Sequence, residues 1–375
     1  MTGLALALAL AVAGSPTEAS PLVERRLQSM GTTLRVEVRA ADRATALRAS
    51  EAAVRALEAT ERRLSTWVEG SELSRLNRAP VGEVVALSAE LAADLAPLGG
   101  FHRQTEGGFD PTVGALSAAW GLRDGGRVPS PEELARATTR VGWEETIRLA
   151  GARLLKRSAV LFDEGGFGKG IGLDRALAAA ADAGATRIEI DLGGQIALFG
   201  GEETVGVAAP DQRSLPVVEV RIPGGSIATS GNGQRGIEVE GRRLGHLLDP
   251  RTGHPAPDWG SLTVWARSAT AADAFSTGLY VLGPNRALKL AARLPGIEAL
   301  ALEATAGGFR ARATSGLDGR ARPLPGRRVD LTFVNAGVAS GPQNEGDGER
   351  YATRVTRSPS PVPRSPDVAA AGKPQ

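Results

Sequence analysis

The chain has 375 residues, 42% hydrophobic and 23% charged, enough to bury the core of a large globular unit. A net charge of +2, with no dense basic run carrying interleaved aromatics, argues against a nucleic-acid partner. Cysteine is absent, which excludes disulfides, thiolate metal sites and cysteine nucleophiles and leaves any metal to oxygen ligands or the three histidines.

Leu4–Val12 (LALALALAV), followed by Ala13-Gly14-Ser15, reads as the apolar region and small-residue cleavage site of a signal peptide covering residues 1–19, although Met1-Thr2-Gly3 carries no Lys or Arg. Export to the periplasm is the expectation. The run is too short to span a bilayer, and no later stretch is long and apolar enough. Leu22–Ser29 and Thr33–Arg39 alternate around Met30-Gly31 as a β-hairpin. Arg43–Leu64 is an amphipathic helix, Ser71 opens a short helix ending near Arg78, and one further helix is expected over Ala89–Thr105. A glycine-containing loop, Gly107 to Thr112, leads into a helix at Val113–Leu122. The Pro-Glu-Glu after Ser130 opens another, over Pro131–Thr139. Strands are expected at Thr146–Leu149, Arg153–Leu155 and Ala159–Phe162.

The segment Leu161–Gly184 (LFDEGGFGKGIGLDRALAAAADAG) is a glycine-rich turn feeding an alanine-rich helix from about Ile171 to Ala183. Such a turn allows close backbone approach, and the helix start attracts anions. It is not a P-loop, because Gly168-Lys169 is followed by Gly170 rather than Ser or Thr. Arg187–Leu192 and Gln195–Phe199 flank Gly193-Gly194 as a second hairpin. Further strands are expected at Thr204–Ala208, Val217–Ile222, Ser226–Thr229 and Leu262–Trp265, then a helix at Ala269–Leu282. From Ala336 to Gln375, Gly, Pro, Ser and scattered charges predict a disordered tail. The folded unit is thus residues 22–335, an α+β fold with mixed or antiparallel sheets and packed helices.

Asp273 and Thr277 stand four residues apart on one helix face, a carboxylate and a hydroxyl of the kind that suit Mg²⁺. His246, ahead of Asp249-Pro250-Arg251-Thr252-Gly253, is an acid–base candidate or a histidine bonded into that turn, with Asp249 organising the backbone. Ser230 lacks the Gly-x-Ser-x-Gly frame of a nucleophile and is expected in a turn.

These pieces together resemble the FAD:protein FMN transferases, the ApbE-like family, over about Ser29 to Gly283. Met30-Gly31-Thr32, Ser65-Thr66-Trp67 and Ser71-Glu72-Leu73-Ser74-Arg75-Leu76-Asn77 are similar to its N-terminal motifs. Phe109-Asp110-Pro111-Thr112-Val113-Gly114 with Trp120-Gly121, the segment Asp163 to Asp174, and Leu192-Gly193-Gly194 follow in order. So do Thr229-Ser230-Gly231, His246 to Gly253, and Ala272-Asp273-Ala274 with Thr277. The resemblance implies a single compact T-fold-like catalytic unit that binds FAD and Mg²⁺. It would transfer FMN to a threonine hydroxyl of an acceptor flavoprotein, an exported or membrane-exposed redox protein, and release AMP. It puts Met30, Trp67, Gly108, Phe109, Asp110, Gly165, Ile171, His246 and Leu247 at FAD, with Lys169 and Asp174 beside the flavin phosphate. The Gly168 carbonyl, Asp273 and Thr277 would hold the metal. His246 or a carboxylate, Asp273 or Asp249, would assist the acceptor hydroxyl.

Glu164 departs from the family's leucine and Gly168 from its alanine, and the N-terminus has no lipobox cysteine. No convincing acceptor motif is present, so self-flavinylation is not expected. The alternatives are an FAD pyrophosphatase giving FMN and AMP, and a flavin-binding protein without turnover.

Overall fold

A computed structural model of the chain describes residues 21–335 except 234, 235 and 240. The expected signal peptide and C-terminal tail lie outside the described residues. The first hairpin forms as expected, β1 (Leu22–Ser29) against β2 (Thr32–Ala40). Its turn forces Met30 to φ 50°, uncommon for a side chain of this size. The Met30 N–H is held there by Glu61 Oε2 at 3.0 Å. Helix α1 (Arg43–Leu64) starts at the Asp42 cap and buries Ala46, Ala49, Ala53, Leu57 and Leu64 along one face. Helix α2 (Glu72–Arg78), capped by Ser71, and strand β3 (Val84–Ala86) follow.

The single helix expected over Ala89–Thr105 is two, α3 (Ala89–Leu95) and α4 (Leu98–Gln104). Pro97, which has no N–H to continue the ladder, stands at the break. Helix α5 is confined to Gly114–Ala119, and α6 (Pro131–Thr138) carries a Ser130/Glu133 capping box. One turn, α7 (Trp143–Thr146), precedes β4 (Ile147–Ala150) and β5 (Arg153–Lys156), so Thr146 is helical rather than the start of a strand. Ala159–Phe162 forms no strand, only an isolated bridge between Leu161 and Val113. The Asn77 side chain takes a strand neighbour's part, accepting from Phe162 N at 2.7 Å and donating to Phe162 O at 2.9 Å. Helix α8 (Gly168–Asp182) begins three residues before the expected Ile171.

Then come β6 (Ala185–Leu192), β7 (Gln195–Phe199), β8 (Glu203–Ala209), β9 (Gln212–Ile222) and β10 (Gly225–Gly231). The small hairpin β11 (Gly236–Val239) and β12 (Arg242–Gly245) precedes β13 (Ser261–Ala266) and α9 (Ala269–Val281). The chain continues through α10 (Pro284–Ala291), β14 (Ile297–Thr305), β15 (Gly308–Thr314), β16 (Ala321–Pro323) and β17 (Val329–Val334).

Nine strands make the main sheet, ordered β1-β2-β6-β7-β10-β13-β14-β15-β17, antiparallel except for the parallel β15–β17 pair. Strand β2 alternates, burying Leu34, Val36, Val38 and Ala40 against α1 and α8. Farther along, both faces are covered. Ala299 and Ala301 of β14 pack with α9 and α10, while Leu300 and Leu302 face the second sheet, β16-β9-β8. Burial on both faces gives β14 its continuous apolar run. This is the α+β architecture expected, with helices stacked on a large, almost wholly antiparallel sheet.

Candidate functional site

Between α8, α9 and the second sheet lies a cleft of about 360 Å³. Gly165 and Lys169 form one wall and Gly193-Gly194-Gln195 at the β6–β7 turn another. Strand β8 from Val205 to Ala209, Thr229 and Ser230 of β10, His246-Leu247, and Asp273 with Thr277 of α9 complete it. A broader hollow beside α6, lined by Pro129, Leu134, Thr138 and His254, carries no carboxylate or ammonium.

Glycines bring the two helices together. A Cβ on Gly170 would stand 2.5 Å from both Ala269 O and Thr270 Cα, and one on Gly278 2.5 Å from Phe109 Cβ, so α9 is gripped on both sides by backbone contact. Asp174 of α8 then caps the start of α9. Its carboxylate accepts from Ser268 Oγ (2.7 Å), Ala269 N (2.7 Å), Thr270 N (2.9 Å) and Thr270 Oγ1 (2.7 Å).

This crossing delivers the 4% exposed Asp273 to the cleft. The Lys169 ammonium donates to both carboxylate oxygens, 3.0 Å to Oδ1 and 3.2 Å to Oδ2, and the Gly170 N–H donates to Oδ2 at 3.1 Å. One turn on, the Thr277 hydroxyl lies 3.5 Å from Ser230 Oγ and, by the same measure, from where a Cβ on Gly166 would sit. Ser230 is on strand β10, not in the expected turn, and its hydroxyl is 3.0 Å from Ser276 Oγ. Ser276 in turn donates to the Asp273 carbonyl at 3.0 Å.

Of the residues expected to act, Gly165, Lys169, His246, Leu247, Asp273 and Thr277 line this cleft. Gly168 opens α8 beneath it, its backbone crossed by Glu164. The others stand behind or beside the lining. Phe109 is buried with its ring under Gly166, Gly108 backs onto Gly278, and Ile171 is buried in the core with Phe162 and Phe167. Met30 reaches Gly168 and Gly172 from the first hairpin. Trp67 is 69% exposed, with the Arg123 guanidinium 4.5 Å from its ring centroid.

Three carboxylates are spent on structure and are absent from the lining. Asp174 is consumed by the α9 cap. Asp249 accepts from Arg251 at its backbone N, Nε and Nη2, and holds its own turn. Asp110 takes Thr112 N (2.8 Å), Thr112 Oγ1 (2.6 Å) and Trp143 N (3.1 Å), with His102 Nδ1 3.3 Å away. Burial pushes the Asp110 carboxyl above its ordinary value against these bonds. Glu164 is also raised, first by burial and then by the charge of Asp163. It accepts from the Thr66 backbone N–H and hydroxyl, tying the Trp67 loop to the glycine turn.

Sequence reasoning missed Asn232. Buried beside the cleft, it accepts from Leu247 N at 3.1 Å and donates to Ala256 O at 2.8 Å, fixing the segment that carries His246. Its place directly after Thr229-Ser230-Gly231 is the only local signal. Gln195, whose Nε2 donates to Ala269 O at 2.9 Å, and the β8 wall were also missed, since both depend on strand order. Among the described residues no three His, Asp or Glu side chains converge, and no helix is long and apolar enough to cross a membrane.

The fold is α+β, and its cleft sets a buried carboxylate beside hydroxyls and a helix start. Residues 30–301 match the ApbE family, and the chain belongs to that family of transferases. It is 32% identical over 299 residues to the FAD:protein FMN transferase of Klebsiella pneumoniae, covering 73% of this chain and 81% of the relative. It is 33% identical over 276 residues to that of Vibrio cholerae, with 70% and 81% covered. The solved flavin transferase ApbE from Vibrio cholerae superposes with a TM-score of 0.70 at 29% identity, over 80% of this chain and 100% of that one. The ApbE protein from Thermotoga maritima gives 0.68 at 30% identity, over 75% and 94%.

Proposed function

We propose that this protein transfers the FMN moiety of FAD to a threonine hydroxyl of an acceptor flavoprotein, with Mg²⁺ bound, and releases AMP. The observation that carries this reading is the buried Asp273 carboxylate, one helical turn from the Thr277 hydroxyl, facing the glycine turn and start of α8. The donor set fits Mg²⁺. Asp273 is buried and already paired with a cation, the Lys169 ammonium, so the position favours positive charge. The donors in the cleft are hard oxygens, the Asp273 carboxylate and the Thr277 hydroxyl, to which the family resemblance adds the Gly168 carbonyl. Bound there, the ion would offset the charge of the pyrophosphate and of the phosphorus under attack.

The positive end of the α8 dipole, beside Lys169 in the cleft wall, would favour a phosphate there. The acceptor oxygen forms a bond to the FMN-side phosphorus, the bond from that phosphorus to the bridging oxygen breaks, and AMP leaves with that oxygen. His246, in the cleft, takes the hydroxyl proton, as an imidazole can near neutral pH. Asp273 is better suited to holding the cation than to acting as base, because Lys169 and the Gly170 N–H already occupy it. The apolar run Leu4–Val12 supports a periplasmic setting and an exported or membrane-exposed redox acceptor.

Incubation with FAD, Mg²⁺ and a threonine-bearing acceptor, read by mass, tests the reading. A gain of one FMN unit on the acceptor is expected. Free FMN without transfer would establish a pyrophosphatase, and unchanged FAD a storage protein. Asp273→Ala should lose both Mg²⁺ dependence and transfer, and undiminished flavinylation by that variant overturns the assignment.

A further inference from the structure

The chain has four lysines, Lys156, Lys169, Lys289 and Lys373, where nearly all of its 44 basic residues are arginine. Two of the four hold positions that suit a small point charge and not a planar guanidinium. The buried Lys156 ammonium is caged by three backbone carbonyls at the end of α2: Asn77 at 2.8 Å, Ala79 at 2.9 Å and Leu76 at 3.4 Å. Lys169 bridges both oxygens of Asp273. Lys156 is enclosed on every side. The Lys169 side chain retains 28% of its exposure and lines an open cleft.

We propose that Lys169 is an exchangeable counter-ion, pairing with Asp273 while the metal site is empty and displaced into the cleft when a divalent cation binds. This rests on the reading that Asp273 and Thr277 hold a metal. A carboxylate this buried needs a cation at all times, and without one it would be left charged and unpaired. An ammonium 3.0 and 3.2 Å from the two oxygens lies between them, on the side from which a cation approaches, while the Gly170 N–H already takes a further site on Oδ2. A dication at about 2.0–2.1 Å from that carboxylate would face the ammonium at close range, and the repulsion drives the lysine out. The four-carbon stem allows it to move, and the cleft gives it room. Once released, the ammonium faces the space where an anionic substrate would lie, so metal and anion should favour one another's binding.

The proposal fixes the sign of a binding measurement made without FAD. Titrating Mn²⁺ and Mg²⁺ calorimetrically into the full chain, Lys169→Met should bind metal about tenfold more tightly than wild type, equivalent to about 1.4 kcal/mol. Lys169→Arg, which keeps a competing cation, should not gain affinity. Acetylation of wild type followed by mass spectrometry should show Lys169 becoming more reactive on adding metal, with the exposed Lys289 as internal standard. Unchanged or weaker metal binding by a folded Lys169→Met protein, its folding checked by thermal denaturation, overturns the proposal, as does unchanged Lys169 acetylation. If wild type binds no metal through Asp273, shown by Asp273→Asn leaving the titration unaltered, the metal reading itself fails and takes this proposal with it.

Discussion

Asp110 and Asp273 are both aspartates removed from water, yet one is given neutral donors and the other a cation. Around Asp110 the donors are amides and a hydroxyl, with His102 the nearest ionisable group, and burial prevails, raising its carboxyl above 3.8. The folded protein therefore keeps a proton there over a window above 3.8 in which the unfolded chain has released it. Stability from this group is fully present below that window and is lost as pH rises through the folded value. Chemical denaturation from pH 7 down to pH 4 should show wild type gaining stability relative to Asp110→Asn as pH falls. A pH-independent gap between the two would place the buried charge elsewhere. The Asp273–Thr277 pair was legible in the sequence because a helix face is set by local spacing. The structural employment of Asp110 was not, because its donors include Trp143, far along the chain.

At the scale of elements, the site depends on how closely α8 and α9 cross. Gly170 is the contact point, and an added Cβ would meet backbone, the Ala269 carbonyl and Thr270 Cα, which cannot rotate aside. Gly170→Ala should cost about 1–3 kcal/mol of stability by urea unfolding. By moving α9 it should also weaken metal binding, although it removes no ligand. A variant as stable and as metal-competent as wild type would show that the helices have slack. Most helices and strands were readable from spacing and turn residues, as the match at Arg43–Leu64 shows. Where the reading failed, the cause was a specific local competitor. Pro97 split one helix, and Asn77 supplied the partner that Phe162 would otherwise find in a strand. Nothing local announces that Gly168, rather than Ile171, opens α8.

At the scale of the molecule, the cleft joins segments that the chain keeps far apart: the α8 turn, the β8 wall, the loop at His246 and the middle of α9. The family motifs follow one another in order along the sequence, but the sheet order that gathers them, with β10 beside β7 and β13, is a long-range outcome that periodicity does not encode. Strands β14, β15 and β17 lie outside the elements expected from the sequence, and their contribution is remote, covering the second sheet, which includes the β8 wall. Because the cleft exists only when these segments are assembled, a ligand filling it binds the folded state alone and stabilises the whole body. At a hundredfold excess over its dissociation constant the gain is about 2.7 kcal/mol, a rise of roughly 5–10 °C in melting temperature for a protein somewhat smaller than this one. FAD with Mg²⁺ should therefore raise the melting temperature measurably. Chelation with EDTA should remove part of the shift in wild type and none of it in Asp273→Asn, which lacks the carboxylate proposed to hold the metal. An EDTA effect of equal size in both proteins would place the metal away from Asp273, and no shift with FAD would place the flavin outside this cleft.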